Sequence, residues 1–224
     1  MVHQKEYIED EIRKEFQLER MILFSDAVFA IVITLMAIEI HVPDMHGKTT
    51  ADILNKELRH LVPVIVAYTG SFFFIGHIWY QHLQIFSLLK DYDKGLVIRN
   101  LVMLFFTGFF PFSASLIPKT NPDLFLPVAI YFSVLITCKI SQLILNHYIL
   151  VKRPALRINT DIQPHIKRFK KSRFMVITLS IFFILITLTM YYIEDTESKP
   201  YAWWWFFLIP IIVKIYDRIA NKKV

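Results

Sequence analysis

Cysteine and glycine are scarce in this sequence of 224 residues, and their scarcity excludes several kinds of site. The single cysteine, Cys138, lies inside an apolar stretch, so an intrachain disulfide and a metal site made of cysteines are both excluded. A selectivity filter of backbone carbonyls needs a glycine-containing loop such as TVGYG, because residues without a Cβ allow close backbone approach. The five glycines stand singly, at Gly47, Gly70, Gly76, Gly95 and Gly108. The sequence therefore has no carbonyl-type filter loop.

Charged residues are nearly absent from six long stretches of the chain. With 55% hydrophobic residues, the chain has more apolar sequence than a soluble core of this size needs. A helix of about 20 apolar residues crosses the roughly 30 Å of hydrocarbon in a bilayer. The pattern predicts an all-α membrane protein with six transmembrane helices, at about 21–42, 61–89, 96–118, 124–151, 173–193 and 201–220.

The N-terminal segment 1–19 alternates acidic and basic residues, and we interpret it as an amphipathic cytoplasmic lead-in to a single transmembrane domain at 20–224. The first apolar block lacks the A-x-A-like cleavage site of a signal peptide. Most of the 25 lysines and arginines lie in the N-terminus, the second and fourth loops and the C-terminus. The positive-inside rule therefore places both termini in the cytoplasm. We expect the basic run at 167–171 to contact anionic lipid headgroups rather than nucleic acid.

The first apolar block has only two ionisable residues between positions 21 and 40, Asp26 and Glu39. At about 100° per residue, Ser25 and Asp26 point away from a narrow aliphatic stripe. The stripe contains Ala27, Ile31, Leu35 and Ile38, with Thr34 at its edge. One face of this helix can therefore line a pore while another bonds to neighbouring helices. On a membrane helix, an aliphatic stripe is more usually a surface that faces lipid or packs against other helices.

Three short motifs resemble those of one known family. The first block opens with R-x-x-x-F-S-D, made of Arg20, Phe24, Ser25 and Asp26. The second block contains W-x-x-H, made of Trp79 and His82, and the third contains Asn100 near its start and Pro111-Phe112 towards its end. These motifs are similar to those of the transmembrane protein 175 family, lysosomal potassium channels with prokaryotic homologues. The six-helix layout agrees with the same family.

This resemblance implies a potassium-selective leak channel whose pore is lined by the first helix. It places Ile31 at the family's gating isoleucine, with Leu35 and Ile38 on the next turns, as a hydrophobic gate. Eukaryotic members hold two six-helix repeats, whereas this chain has one, so the resemblance implies a homotetramer in a prokaryotic cell membrane. Thr34 could offer hydroxyls to a partly dehydrated potassium ion, and Glu39 could raise the local cation concentration. We expect no cofactor, no bound metal other than transient potassium, and no enzymatic activity.

A second role is open for the signature residues. Buried charges in membranes usually pair, so the signature can form a structural network instead of touching ions. In this interpretation Arg20, Ser25 and Asp26 tie the first helix to His77, His82 and Asn100. The polar stripe of Lys139, Gln142 and Asn146 in the fourth block should likewise face the helix bundle, where Lys139 is a paired charge or binds an anion or lipid headgroup.

Other function classes use the same residues differently. Asp26, His77 and His82 could relay protons in a proton-coupled transporter, or could bind a metal or serve as acid and base in an intramembrane hydrolase. A five-residue spacing sets the two imidazoles about 140° apart on a helix, which is unfavourable for a shared metal. The chain could also be a structural or lipid-interacting membrane subunit.

Overall fold

The protein is all-helical in the computed structural model, which describes residues 2–38, 40, 51–119, 125–158 and 161–192, with residues 212 and 214. Six α-helices follow one another: α1 (Val2–Ile38), α2 (Ala51–Phe86), α3 (Lys94–Gly108), α4 (Phe110–Lys119), α5 (Phe125–His147) and α6 (Gln163–Tyr192). A π-helical turn at Tyr148–Lys152 and a 3-10 turn at Pro154–Leu156 follow α5. The chain divides into two compact units, Met1–His165 and Ile166–Val224.

The membrane character of the fold is confirmed by four helical stretches that are long and apolar enough to cross a bilayer. They are Glu11–Ile38, Lys94–Leu116, Phe125–Lys152 and Gln163–Met190. The second predicted span, at 61–89, overlaps α2 over residues 61–86. The sixth predicted span at 201–220, with its tryptophans, lies outside the described residues, as does Glu39.

Three of the helices begin earlier than the hydropathy pattern predicts. The lead-in and the first span form one unbroken helix of 37 residues. The charged lead-in already has helical periodicity, so nothing interrupts the helix at position 20. Helix α2 begins at Ala51, ten residues before the predicted span at 61–89. Helix α6 begins at Gln163, ten residues before the predicted span, with Pro164 in its first turn, where the fixed φ of proline suits a helix start.

The third predicted span is divided into α3 and α4 at Phe109. The backbone N–H of Phe109 bonds the Phe106 carbonyl at 3.2 Å, which tightens the last turn of α3. Pro111 follows two residues later and has no N–H to continue the helical hydrogen bonds. The residue before a proline is also disfavoured in helical geometry. The break therefore follows from the proline in this motif.

The core of the first unit lies where α1, α2, α3 and α5 meet. Helix α1 packs on α2, α3 and α4, while α5 packs on α3 and α4. The largest fully buried apolar side chains of this unit are Phe29, Ile75, Ile78, Phe86, Leu96, Met103, Phe110, Leu145 and Ile149. In the second unit, α6 has its own buried apolar residues, which include Val176, Phe182 and Ile186.

A polar cluster at the start of α3 joins that helix to the π-helical turn that follows α5 and to Arg153 directly after it. Asp93 caps α3 by accepting a hydrogen bond from the Leu96 N–H at 2.7 Å. The same carboxylate accepts a hydrogen bond from the Tyr148 hydroxyl at 2.7 Å and lies 3.4 Å from Arg153 Nε. The Arg99 guanidinium covers the Tyr148 ring, 4.0 Å from its centroid. Partial burial opposes ionisation of Asp93, but the two hydrogen bonds and Arg153 outweigh it and hold the pKa of Asp93 below its usual range.

Candidate pore helix and interhelical network

Helix α1 has one face buried in its own subunit and an opposite face that is left uncovered. Phe29, Val32 and Met36 are buried against the other helices. The predicted pore residues Ile31, Leu35 and Ile38 are 56%, 45% and 65% exposed. The aliphatic stripe is therefore left largely uncovered by the described part of the chain, and its place in a pore stays a prediction.

Thr34 lies on the exposed side of α1, beside this stripe. Its hydroxyl donates to the carbonyls of Ala30 and Ile31, at 2.9 and 3.0 Å. This bonding is common for threonines in membrane helices. Because the proton points back to the helix, the oxygen lone pairs stay available on the exposed side.

Ser25 and Asn100 are the centre of a buried network that connects three helices. The Asn100 side-chain N–H donates to Ser25 Oγ at 2.8 Å, and the Ser25 hydroxyl donates to the Met21 carbonyl at 2.8 Å. The amide oxygen of Asn100 is 2.9 Å from His82 Nε2. A carbonyl oxygen only accepts, so His82 carries its proton on Nε2 and donates it. The chain of bonds runs from α1 through α3 to α2.

The His82 ring is held by aromatic neighbours as well as by Asn100. It stacks on Phe86 with a centroid distance of 3.8 Å, and Phe29 lies 5.6 Å away in a tilted arrangement. The side chain is fully buried. His82 is therefore a packed interhelical residue with a fixed hydrogen bond.

Asp26 and Trp79 form a second link between α1 and α2. The Trp79 indole N–H donates to Asp26 Oδ1 at 2.8 Å. Adjacent residues of the F-S-D motif thus bond to the two named residues of W-x-x-H, Asp26 directly and Ser25 through Asn100. The two motifs are parts of one arrangement that fixes the position of α1.

The structure separates three other predicted network residues from this arrangement. Arg20 is exposed, with its guanidinium 5.9 Å from the Phe16 ring centroid. Phe24 is also exposed, beside the aliphatic stripe. His77 is exposed on α2, and its Nε2 is 2.9 Å from the Gln81 amide nitrogen. Its partner is therefore Gln81, whereas Asp26 bonds Trp79.

A second polar cluster joins α2 to α5 around Lys139. The Lys139 amine donates to the amide oxygens of Gln81 and Gln142, each at 3.1 Å. It also lies 5.6 Å from the Phe74 ring centroid, and the Gln142 amide donates to the Ile78 carbonyl at 2.9 Å. Lys139 and Gln142 thus face the bundle. Sequence reasoning missed Gln81, although its position four residues after His77 places both on one side of α2.

The described residues contain no group of three or more His, Cys, Asp or Glu side chains that could hold a metal ion. Asp26, His77 and His82 each bond a different neutral partner. The site is therefore a set of helix contacts around an uncovered aliphatic ridge, without a reactive centre among these three residues.

Comparison with known proteins agrees with this arrangement. The family model described as endosomal/lysosomal potassium channel TMEM175 matches residues 20–111, the segment that contains all three motifs. A potassium channel from Chryseobacterium sp. (strain P1-3) is 30% identical over 206 residues, which are 92% of this chain and 96% of that protein. The human endosomal/lysosomal proton channel TMEM175 is 30% identical over 114 residues, 49% of this chain and 23% of that protein.

A solved structure has the same fold. It is the crystal structure of a lysosomal potassium-selective channel TMEM175 homolog from Chamaesiphon minutus, with a TM-score of 0.65 and 24% identity. The superposition covers 92% of this chain and 98% of that one. The near-complete coverage of the Chryseobacterium channel, together with the family match over the motifs, shows that this chain belongs to the TMEM175 family.

Proposed function

We propose that the protein is a potassium-selective leak channel in which four copies of the chain surround a pore lined by α1. The observation that carries this proposal is the exposed ridge of Ile31, Leu35 and Ile38 opposite the buried face of the same helix. The name of the Chryseobacterium relative, a potassium channel, supports the choice of ion. The family is one of channels, so no catalytic chemistry is invoked.

The ridge suggests how such a pore closes. Four copies of Ile31, Leu35 and Ile38 would form apolar rings over about 10 Å of helix. A narrow apolar ring expels water. A cation would have to lose its hydration shell to enter such a ring, and it therefore does not cross. Conduction requires the rings to widen and become wet. The bonds from Ser25 and Asp26 to the neighbouring helices then determine where the ridge stands relative to the axis.

The oligomer follows from geometry, since one helix cannot enclose a pore. A single ridge on each chain needs several copies around a central axis, and cyclic symmetry presents the same ridge from each. A family whose longer members hold two repeats in each chain suits four repeats around the pore. Chemical cross-linking of the purified protein should give a ladder that ends at the tetramer.

The rival proton-coupled transporter has weaker support. A relay needs Asp26, His77 and His82 within proton-transfer reach of one another, but each has a different partner. Because the human relative is named a proton channel, the experiment must also measure proton flux.

Ion flux into liposomes tests the proposal. We would compare wild type with Ile31→Asn under potassium, sodium and proton gradients, using Ile181→Asn on the exposed side of α6 as a matched control. We expect wild type to pass potassium faster than sodium, and Ile31→Asn to raise the flux because an amide wets the ring. The control should behave as wild type. A folded wild type that passes only protons, or passes no ion, would contradict the proposal.

A further inference from the structure

Arg157, directly after the 3-10 turn that follows α5, has a charged side chain that the fold leaves without acceptors. Its Nε and Nη1 atoms are buried and bond no other described group. Among the residues that the structure describes, the only other buried side-chain polar atom without a hydrogen-bond partner is Asn146 Oδ1. A buried guanidinium without acceptors is costly, because no bond offsets its removal from water. The group is therefore suited to an anion from outside the chain.

The backbone explains why this arginine is directed inwards. Two hydrogen bonds, at 2.8 and 2.9 Å, join the segments 88–90 and 156–158. They set Arg157 directly opposite Leu89 in an antiparallel bridge. Residues that lie opposite each other in such a bridge project their side chains to the same face. Leu89 is buried, so the bridge directs the Arg157 side chain towards the interior.

The acidic side chains of the neighbouring segments already have other partners. An Asp91 carboxylate oxygen lies 3.9 Å from the Lys14 amine. Asp93 is held in the cluster at the start of α3. Asp161, the next acidic residue after Arg157, accepts the first backbone N–H of α6 at 3.0 Å. These three carboxylates therefore do not neutralise Arg157.

The segments around the bridge have a surplus of positive charge. Residues 88–99 and 148–158 contain two aspartates and six basic residues, which are Lys90, Lys94, Arg99, Lys152, Arg153 and Arg157. The positive-inside rule predicts that this end of the bundle lies at the cytoplasmic surface of the membrane. A surplus of this sign attracts anions, and at a membrane surface the anions at hand include lipid phosphates.

We propose that Arg157 is the centre of a phosphate-binding site at this end of the bundle. Nη2 is the guanidinium nitrogen that is not buried, so an oxyanion can enter there. It accepts hydrogen bonds from Nη2 and from Nε or Nη1, since the planar fork of a guanidinium matches two phosphate oxygens. The phosphate belongs to an anionic phospholipid or to a soluble ion, because the same chemistry recognises both. The site does not depend on the proposed channel activity.

Thermal unfolding in a phosphate-free maltoside detergent tests the site. We would compare wild type with Arg157→Met after adding inorganic phosphate or phosphatidylglycerol, with sodium chloride of equal ionic strength and diacylglycerol as matched additions. A ligand at about five times its Kd should raise the wild-type melting temperature by about 2–4 °C and leave Arg157→Met unchanged. A shift with inorganic phosphate would show that the free ion is bound, and a shift with phosphatidylglycerol alone would identify a lipid headgroup. Equal shifts in both proteins, or no shift with either ligand, would overturn the site.

Two further variants separate the bound guanidinium from a general effect of charge. Lys90→Gln removes an exposed positive charge from the neighbouring turn and should keep the full wild-type shift. Arg157→Lys keeps the charge but not the planar fork, and we expect it to lose more than half of the shift. A full shift in Arg157→Lys, or the loss of the shift in Lys90→Gln, would contradict a site built on the guanidinium.

The proteins without ligand provide a test of sign. In the absence of phosphate, Arg157→Met should melt above wild type, because an apolar side chain replaces a buried charge that has no acceptors. Added ligand should narrow this difference or reverse it. If Arg157→Met does not melt above wild type without phosphate, the guanidinium is already satisfied by the protein or by water, and the proposal fails. If Arg157→Met does not fold, the loss of the shift in Arg157→Lys remains the test.

Discussion

At the scale of single residues, Asn100 is the side chain on which the family motifs converge. Replacing it with Leu removes the partners of Ser25 and of the His82 N–H inside a buried contact. A buried donor without a partner costs about 1–2 kcal/mol, so we expect a lower melting temperature in detergent. Ser133→Ala is the matched control, because this exposed serine bonds only its own helix at Ala129. Equal melting temperatures for Asn100→Leu and wild type would show that the network adds no stability.

Asp93 provides a pH dependence whose direction can be worked out. Its pKa is lower in the folded protein than in the unfolded chain because Tyr148, Leu96 and Arg153 favour the carboxylate. Its stabilising contribution is therefore complete above the ordinary aspartate pKa of about 3.9 and is lost as the pH falls through the lowered value. The difference in melting temperature between wild type and Asp93→Asn should be constant from about pH 7 to pH 5 and shrink below about pH 4. A difference that grows on acidification would contradict this assignment.

At the scale of helices, α3 and the π-helical turn after α5 approach closely at Gly95. A Cβ at this position would collide with the Tyr148 hydroxyl, and the Arg99 guanidinium is also close. Because Tyr148 is held by Asp93, Gly95→Ala should destabilise the protein by about 1–3 kcal/mol, as overpacking does. Thermal unfolding of Gly95→Ala beside Gly70→Ala, where a Cβ would meet nothing within 4 Å, checks this. Tyr148→Phe should partly rescue Gly95→Ala, and a lack of rescue would point to another cause.

The helices also show which structural features could be predicted from the sequence. The helical rotation of about 100° per residue correctly predicted that Ser25 and Ile31 lie on different sides of α1. This prediction needs no knowledge of the neighbouring helices, because a regular helix fixes the directions of its side chains. The early start of α2 could not be predicted, since hydropathy reports the apolar part of a helix and not its length. The pairing of Ser25 with Asn100 was predicted only as part of a larger set, because spacing along a chain does not determine which helices touch. His77 was assigned to that set and instead bonds Gln81, one turn away on its own helix.

At the scale of the whole channel, Thr34 tests the origin of ion preference. Its proton is used inside α1, so its oxygen is free to face a dehydrated cation in the assembled pore. Thr34→Val keeps the shape and removes the oxygen. We expect the ratio of potassium to sodium flux in liposomes to fall about fivefold, the equivalent of one lost hydrogen-bonding partner. An unchanged ratio, with normal assembly, would place the selectivity elsewhere along α1.

The unbroken length of α1 has a mechanical consequence. A continuous helix is a stiff rod, and Ser25 and Asp26 bond this one to its neighbours about two-thirds of the way from Val2 to Ile38, so they act as a fulcrum. Ile38 lies about 20 Å beyond that point, at the rise of an α-helix. A tilt of about 5° would displace Ile38 by about 2 Å and move the N-terminal end in the opposite direction. Force applied to the N-terminal end would therefore reach the proposed gate as leverage along a single helix.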